Sequence, residues 1–334
     1  MSEVITLISN PINIRYLTGL EISSGIVLLS GKKIELFTDG RYLEVAKSTS
    51  KKISIHDIAN LQKRLKKAKK AAFEAQHVTV SRLKRWKRLF KGTKLIPLEN
   101  IIEKRRRIKN KEELMNIKKA CAITDKIMDR IPKMLKTSIK ESDVSRKIES
   151  LAYDLGAEEM AFDSIVAFGK NSSRPHHKPT NYKLRKGDIV QIDIGVKVNG
   201  YCSDCSRVFF TSKKTEEQKR VFDLLIKTVI ETTGLAKAGA LNSSLDKAAR
   251  NMLKKEDYEK YFIHSLGHGV GLEVHEKPSI SQRGNKMKLL ENEVITIEPG
   301  IYFPGKWGMR IEDTILARQA KGYRMTNSPY NAKI

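Results

Sequence analysis

Cysteine is scarce in this sequence: its 334 residues contain three. Three cannot build a disulfide framework, and so few point to a reducing compartment. Long apolar runs are missing too. None approaches the ~18 residues that a membrane-crossing helix needs. The opening stretch, MSEVITLISNPINIRYL, has no basic segment followed by an apolar one, so no secretory leader is expected and the protein reads as cytoplasmic. Low-complexity linkers and short-period repeats do not occur, which leaves ordinary folded domains. The chain is also short of acid, with 38 Asp and Glu against 64 Lys and Arg, a net charge of +26.

Apolar residues make up 40% of the chain, enough for a core at this length in one large domain or two smaller ones. The excess charge is concentrated. Residues 51–110 hold 20 Lys and Arg and 4 Asp and Glu, a net +16, in runs such as KRLKKAKK, RLKRWKRLFKGTK and EKRRRIKNK. Such a surface attracts polyanions through counterion release. No nucleic-acid-binding motif accompanies it, so a solvated lysine-rich face is preferred over a nucleic-acid partner.

In GIVLLSGKKIELFTDGRYL two apolar runs flank Ser-Gly-Lys-Lys, which predicts a hairpin. Basic helices are expected over 58–70 and 80–91. Near residue 110 the pattern changes. Leu114, Ile117, Cys121, Met128 and Ile131 recur near helical spacing, which makes Cys121 a core residue. A further helix opens at TEEQKRVFDLLIKTVI, where Thr215 and Gln218 fit a capping box. The expected organisation is a small α/β domain over residues 1–110 and a larger α+β domain over residues 111–334.

The segment GDIVQIDIGVKVNGYCSDCSRVFF reads as two strands joined at Asn199-Gly200, a two-residue hairpin turn. That turn sets the register: Val198 faces Tyr201, Lys197 faces Cys202, and Asp193 faces Ser206. Asp193 and Asp204 then share one face as diagonal neighbours, roughly 7–8 Å apart at the backbone. Two carboxylates this close repel unless cations sit between them. The same register disposes of the C-x-x-C spacing as a zinc or disulfide motif. Cys202 and Cys205 are an odd number of residues apart and point to opposite faces. Cys205 is expected in the core and Cys202 near the carboxylates.

Further ligand-type residues follow. Of seven histidines, His264, His268 and His275 lie in HSLGHGVGLEVHE, where glycines let the backbone approach closely beside His268. In NEVITIEPGIY the alternation carries Glu298 off the apolar face. In GMRIEDTILA it does the same for Arg310 and Glu312.

Together IDIG with Asp193, SDCSR with Asp204, GHGVG with His268, TIEPGIY with Glu298 and RIEDT with Glu312 resemble the pita-bread dinuclear metallopeptidases. That family includes prolidase, aminopeptidase P and methionine aminopeptidase. The resemblance runs from about residue 112 to 320 and fills all five metal-ligand positions. NIRYLTGLEISSGIVLL and LFTDGRYLEVAK are similar to the creatinase/prolidase N-terminal domain. The implied fold is an α+β, creatinase/aminopeptidase-like pita-bread catalytic domain preceded by a small α/β domain. RPHHKPT resembles the proline-specific branch and puts His176 beside the scissile or leaving group. The implied substrate is a peptide with proline at the second position, cleaved before that proline.

The resemblance also implies site roles. Asp204 and Glu312 would bridge two divalent ions, Asp193 would chelate one, and His268 and Glu298 would bind the other. An oxygen-rich donor set suits Mn²⁺ first, with Co²⁺ or Zn²⁺ as alternatives. The ions would activate a hydroxide for hydrolysis, and Glu298 would handle the proton. His176, His264 and His275 would hydrogen-bond around the tetrahedral intermediate. Arg310, beside Glu312, would orient a metal-ligating carboxylate. One departure from the family is SDCSR, where a bulkier apolar residue and Thr are usual; Ser206 keeps the hydroxyl. Dipeptidase and aminopeptidase both stay open. Arg283, in SISQRGN, either binds a dipeptide's C-terminal carboxylate or is a surface-loop arginine. A homodimer is implied. The alternative function is a catalytically silent homologue that binds nucleic acid or protein through residues 51–110. The complete ligand set counts against it.

Overall fold

The computed structural model describes residues 5–49, 53–66 and 68–331. The chain divides into two compact units, Met1–Arg106 and Arg107–Ile334.

In the first unit six strands form one sheet: β1 (Ile5–Ile8), β2 (Gly25–Ser30), β3 (Lys33–Thr38), β4 (Ser54–Asp57), β5 (Lys70–Glu74) and β6 (Lys94–Leu98), in the spatial order β4-β3-β2-β1-β5-β6. The expected hairpin is β2–β3, antiparallel from Ser30↔Lys33 outward. Strands β5 and β6 run parallel, so the chain between them must cross over, and it does so through the helix Val80–Leu89. Apolar clusters flank this sheet. One gathers Leu7, Leu28, Phe37 and Trp86, the other Ile8, Val27, Leu36 and Ile14. Strands that bury both faces read as continuous apolar runs, as VLL in β2 does.

The basic helix expected over 58–70 is cut short. A 3₁₀ turn spans Ile58–Asn60 and a helix spans Leu61–Leu65. Lys70 opens β5 instead, because Ala71, Ala72 and Phe73 are buried beside β1. Burial outweighs the helix propensity of a lysine-rich run. The helix Val80–Leu89 buries Trp86 and exposes Arg82, Lys84, Arg85, Lys87 and Arg88. That is a solvated basic face.

The second unit has long helices at Lys111–Met128, Glu141–Asp154, Glu216–Leu235 and Asn242–Lys255. Thr215 and Gln218 close the expected capping box, and Cys121 is buried. Its strands are β7 (Glu159–Met160), β8 (Ile165–Phe168), β9 (Ile189–Ile194), β10 (Val196–Val198), β11 (Tyr201–Cys202), β12 (Cys205–Phe210), β13 (Gly267–Gly269), β14 (Glu276–Ile280), β15 (Val294–Ile297), β16 (Gly300–Phe303), β17 (Trp307–Arg310), β18 (Asp313–Ala317) and β19 (Gly322–Arg324). They form small sheets ordered β11-β10-β7, β12-β9-β8 and β14-β13-β15-β18-β19, with β16-β17 as a ribbon. Ile295, Ile297, Ile311 and Ile315 pack with Val221, Leu225 and Leu245 from two of the helices. Ile192 and Ile194 pack with Ile127, Val144 and Ile148 from the other two. Strand residues alternate faces, so the residues between these isoleucines point away from the helices. Asp193 and Thr296 are among them.

The Asn199-Gly200 turn is as expected. Both residues have positive φ, 48° and 77°, which a two-residue hairpin turn of this kind requires. Lys197 pairs with Cys202, Val198 with Tyr201 and Ser206 with Asp193, in the predicted register. Between β11 and β12 the ribbon breaks at Ser203 and Asp204. There the Thr314 hydroxyl from β18 donates to the Asp204 carbonyl at 2.8 Å and accepts from its amide at 3.3 Å. Asp204 is thereby tied to the β18 segment that follows Glu312.

Candidate metal centre

Each donor comes from a different piece of β structure in the second unit. Asp193 stands near the end of β9, and Asp204 at the break in the ribbon. His268 is the middle residue of β13. Its flanking glycines are obligatory. A Cβ on Gly267 would lie 2.0 Å from the Thr296 carbonyl oxygen, and one on Gly269 would lie 2.3 Å from that of Lys277. Glu298 follows β15, and Glu312 lies in the turn between β17 and β18.

Asp204, His268 and Glu312 each offer a ligand atom within 4.8 Å of the others. His268 Nε2 lies 3.6 Å from Asp204 Oδ2 and 3.4 Å from Glu298 Oε1. Asp193 is held differently. One oxygen accepts from Arg310 Nη2, while Oδ1 is buried with no hydrogen-bond partner. The Arg310 guanidinium also donates to Ser206 Oγ at 3.0 Å, to the Tyr302 hydroxyl at 2.8 Å and to the Pro175 carbonyl at 3.3 Å. The carboxylate that Arg310 holds is thus Asp193, across the site, rather than its sequence neighbour Glu312. Ser206, where the family usually has Thr, uses its hydroxyl in that clasp.

Crowded burial dominates the electrostatics. It pushes Asp204 and Glu312 well above the ordinary carboxylate range, and the neighbouring carboxylates add to the effect. Glu298 is pushed up to about 8, mainly by burial, with Arg310 opposing and Asp193 adding. His268 and His264 are pushed down to about 3, chiefly by burial, helped by the charges of His275 and Arg310 respectively. Cations among these groups would offset the repulsion and let the carboxylates ionise. The unpartnered Asp193 oxygen carries the same message, since a buried acceptor normally has something to accept from. Carboxylates with one imidazole suit hard or borderline divalent ions. The residues fit such ions.

The remaining expected residues surround this cluster unevenly. His264 lies beside it, with Nε2 3.0 Å from the Tyr302 hydroxyl and Nδ1 3.9 Å from Glu298 Oε2. The His275 ring is 4.2 Å from that of His268, centroid to centroid. His176 is exposed, yet close enough that its charge depresses both His264 and His275. Arg283 stands exposed in a cleft that His264 also lines. Cys202 packs with Ile117, Cys121 and Val270 in the core, its sulfur turned to the Leu272 carbonyl at 3.9 Å; burial pushes its thiol up, and the nearby Asp204 charge adds to the effect. Cys205 faces the Glu312 carbonyl at 3.6 Å. The two sulfurs share no ligand.

Several residues here had not been singled out in the sequence. Tyr302 bridges His264 and Arg310. Gln191 accepts from the Arg310 amide at 2.7 Å and donates to its carbonyl at 3.2 Å. Its position two residues before Asp193, on the same strand face, was the available signal. Glu141 accepts from His177 Nε2 at 2.9 Å and anchors the loop that carries His176.

Residues 115–319 match Metallopeptidase family M24, and residues 5–108 match the Creatinase/Prolidase N-terminal domain. The chain belongs to metallopeptidase family M24. It is 34% identical over 324 residues to the Xaa-Pro dipeptidase of Pyrococcus furiosus, covering 96% of this chain and 92% of that one. Among solved structures, the X-Pro aminopeptidase from Thermotoga maritima MSB8 superposes with a TM-score of 0.92 at 32% identity, covering 100% of this chain and 98% of that one. The Xaa-Pro dipeptidase from Bacillus anthracis does so with a TM-score of 0.94 at 30% identity, covering 99% and 95%. The catalytic unit of this M24 metallopeptidase therefore has the pita-bread fold. Membership implies divalent metal ions, in keeping with the donor set. These relatives lend no support to a silent nucleic-acid-binding homologue. No helix among the described residues is long and apolar enough to cross a membrane.

Proposed function

We propose that this metallopeptidase hydrolyses the peptide bond preceding a proline at the second position of its substrate. It holds two divalent cations, with Mn²⁺ preferred over Co²⁺ or Zn²⁺. The observation that carries the metal assignment is the buried convergence of Asp204, His268 and Glu312 beside an unpartnered Asp193 oxygen. Asp193, Asp204, His268, Glu298 and Glu312 would hold the ions. When bound, the ions lower the pKa of water and polarise the scissile carbonyl.

The chain's own residues do the rest. Arg310 fixes the Asp193 carboxylate and is itself fixed by Ser206, Tyr302 and Gln191. Glu298, whose carboxylate lies 3.4 Å from His268 Nε2 and 3.9 Å from His264 Nδ1, takes up a proton and returns it to the leaving proline nitrogen. His264, oriented by the Tyr302 hydroxyl and the Ser265 carbonyl, hydrogen-bonds the substrate around the scissile group. His176 and His275 serve the same end from the solvent side. Support for proline specificity comes from RPHHKPT and from the names of the relatives. A cytoplasmic homodimer completes the proposal, resting on three buried free thiols and on the family resemblance.

The test is elemental analysis of purified protein followed by hydrolysis of matched Xaa-Pro and Xaa-Ala peptides with Mn²⁺ present. Two ions per chain and cleavage confined to the proline series are expected. Full metal loading without proline preference would overturn the reading.

A further inference from the structure

Arg207 follows Ser206 in β12 and points to the other face of the strand. It is only 1% exposed. All five of its N–H donors are engaged. Nη1 donates to the carbonyls of Ser206 and Glu312 at 2.9 and 2.5 Å. Nη2 donates to Asp313 Oδ1 at 2.6 Å and to the Ser328 carbonyl at 2.9 Å, and Nε reaches the same carbonyl at 3.3 Å. We propose that Arg207 is a positioning residue for the metal centre. Backed by residues 326–330, it locks the turn carrying Glu312 to the strand that follows Asp204. The inference rests on the metal assignment above and does not depend on the Xaa-Pro specificity.

The groups that hold a metal ligand in place set its orientation and tune its affinity for the ion. Glu312 lies in a turn, outside the ladders of β17 and β18. Its backbone is fastened elsewhere. The amide donates to the Ser206 carbonyl at 3.2 Å. The carbonyl accepts from Arg207 Nη1 and, at 3.6 Å, from Cys205 Sγ. Each of these bonds runs to residues 205–207, directly after Asp204. The segments that bear two of the converging carboxylates are thus pinned to one another, and the Arg207 guanidinium spans both.

The guanidinium is itself held from the C-terminal end of the chain. Asp313 is the sequence neighbour of Glu312, yet both of its oxygens are spent. Oδ1 accepts from Arg207 and, at 2.7 Å, from the Thr326 hydroxyl. Oδ2 is ion-paired with Arg324 Nε at 2.8 Å and accepts from the Tyr330 hydroxyl at 2.5 Å. The Tyr330 ring lies against both guanidiniums, its centroid 4.9 Å from Arg207 Cζ and 4.3 Å from Arg324 Cζ. Asp125, on the helix Lys111–Met128, accepts from the amides of Asn327 and Ser328 at 2.8 Å. That grip fixes the residue whose carbonyl faces Arg207. A lysine has three donors on one nitrogen, so it cannot bind the carbonyls of Ser206, Glu312 and Ser328 together with the Asp313 carboxylate.

The experiment titrates full-length protein, stripped by a chelator, with Mn²⁺ in a calorimeter. Arg207→Lys should raise Kd for at least one ion 10-fold or more. Asp125→Ala frees Ser328 without touching a metal ligand, and should raise it 3- to 10-fold. On a Xaa-Pro peptide both should lower kcat and leave KM within 2-fold. Leu253→Ala, in the buried face of the helix Asn242–Lys255, is the control for plain loss of stability. It should lower the melting temperature and leave Mn²⁺ affinity within 2-fold. Circular dichroism shows which variants fold, and Asp125→Ala decides alone if Arg207→Lys does not. Folded variants that bind Mn²⁺ within 2-fold of wild type, or an equal loss of affinity in Leu253→Ala, would overturn the inference and leave the metal assignment intact. A wild type that binds no Mn²⁺ sinks the metal assignment, and this inference with it. Weakened binding in the variants of an enzyme that cleaves no Xaa-Pro bond would uphold the inference and sink only the specificity.

Discussion

Asp193 carries one oxygen that Arg310 holds and one that nothing holds. Asp204, in contrast, sits among like charges, its backbone tied to Thr314 and its carboxylate beside the Cys205 amide and His268. This difference assigns the residues different sensitivities. Asp204→Asn removes a buried carboxylate charge from the cluster that would hold the cations. It should lower kcat by at least 100-fold and cost at least one bound metal, read by elemental analysis. His176 lies outside the carboxylate cluster and is exposed. His176→Ala should spare the metal content and lower kcat by roughly 10- to 100-fold, the range for a lost proton-transfer or hydrogen-bonding partner. Loss of metal from His176→Ala would move that residue into the ligand set.

Elements hold these side chains through a few close approaches. Strand β13 reaches β15 only because Gly267 has no side chain. Gly267→Ala would drive a methyl into the Thr296 carbonyl, 2.0 Å away, and so push His268 off its place. A cost of roughly 1–3 kcal/mol is expected, with weakened metal binding, both measurable by denaturation and metal titration. The loop carrying His176 hangs on Glu141 in the helix Glu141–Asp154. That buried carboxylate accepts from the Phe168 amide at 2.8 Å, from Asn171 and His177 at 2.9 Å, and from the Thr180 amide and hydroxyl at 2.9 and 2.6 Å. Burial alone would raise its pKa, but these donors hold it down to about 2, against 4.5 for a free glutamate. A depressed acid stabilises the fold above its unfolded pKa, and that stability drains away as pH falls from about 4.5 toward 2. Glu141→Gln should flatten the loss of stability across that window. It should also cost about 1–3 kcal/mol at neutral pH, from donors left facing an amide, and lower kcat with metal retained.

For the molecule as a whole, the buried carboxylates make cation binding part of stability. Ions that bind the folded but not the unfolded chain add about 2.7 kcal/mol at 100 times Kd. A domain of this size gains roughly 2–4 °C per kcal/mol. Mn²⁺ should therefore raise the melting temperature by roughly 5–10 °C, a chelator should reverse the rise, and Asp204→Asn should blunt it. A melting temperature indifferent to Mn²⁺ in the wild type would deny these carboxylates a metal. In the helix Val80–Leu89 the basic charge lies on exposed side chains of the first unit.

What the sequence determined by itself was local. Asn199-Gly200 specified its turn because few residue pairs tolerate two positive φ values, and alternation then set which side chains share a face. The Thr215 capping box and the apolar face around Cys121 were readable for the same reason: each depends on neighbours within one or two turns. Only the tertiary structure decided what lies far apart in the chain. Arg310 clasps an aspartate 117 positions away instead of the glutamate two residues on. Glu141 anchors a loop 27 to 39 positions downstream, a partner that the helical spacing of Val144, Ile148 and Leu151 beside it does not reveal. Residue 70 joined a strand because β1 offered burial that no local propensity could outweigh. Partners in space are chosen by packing and by the cost of leaving a buried charge alone, and neither is written in the spacing of a single stretch.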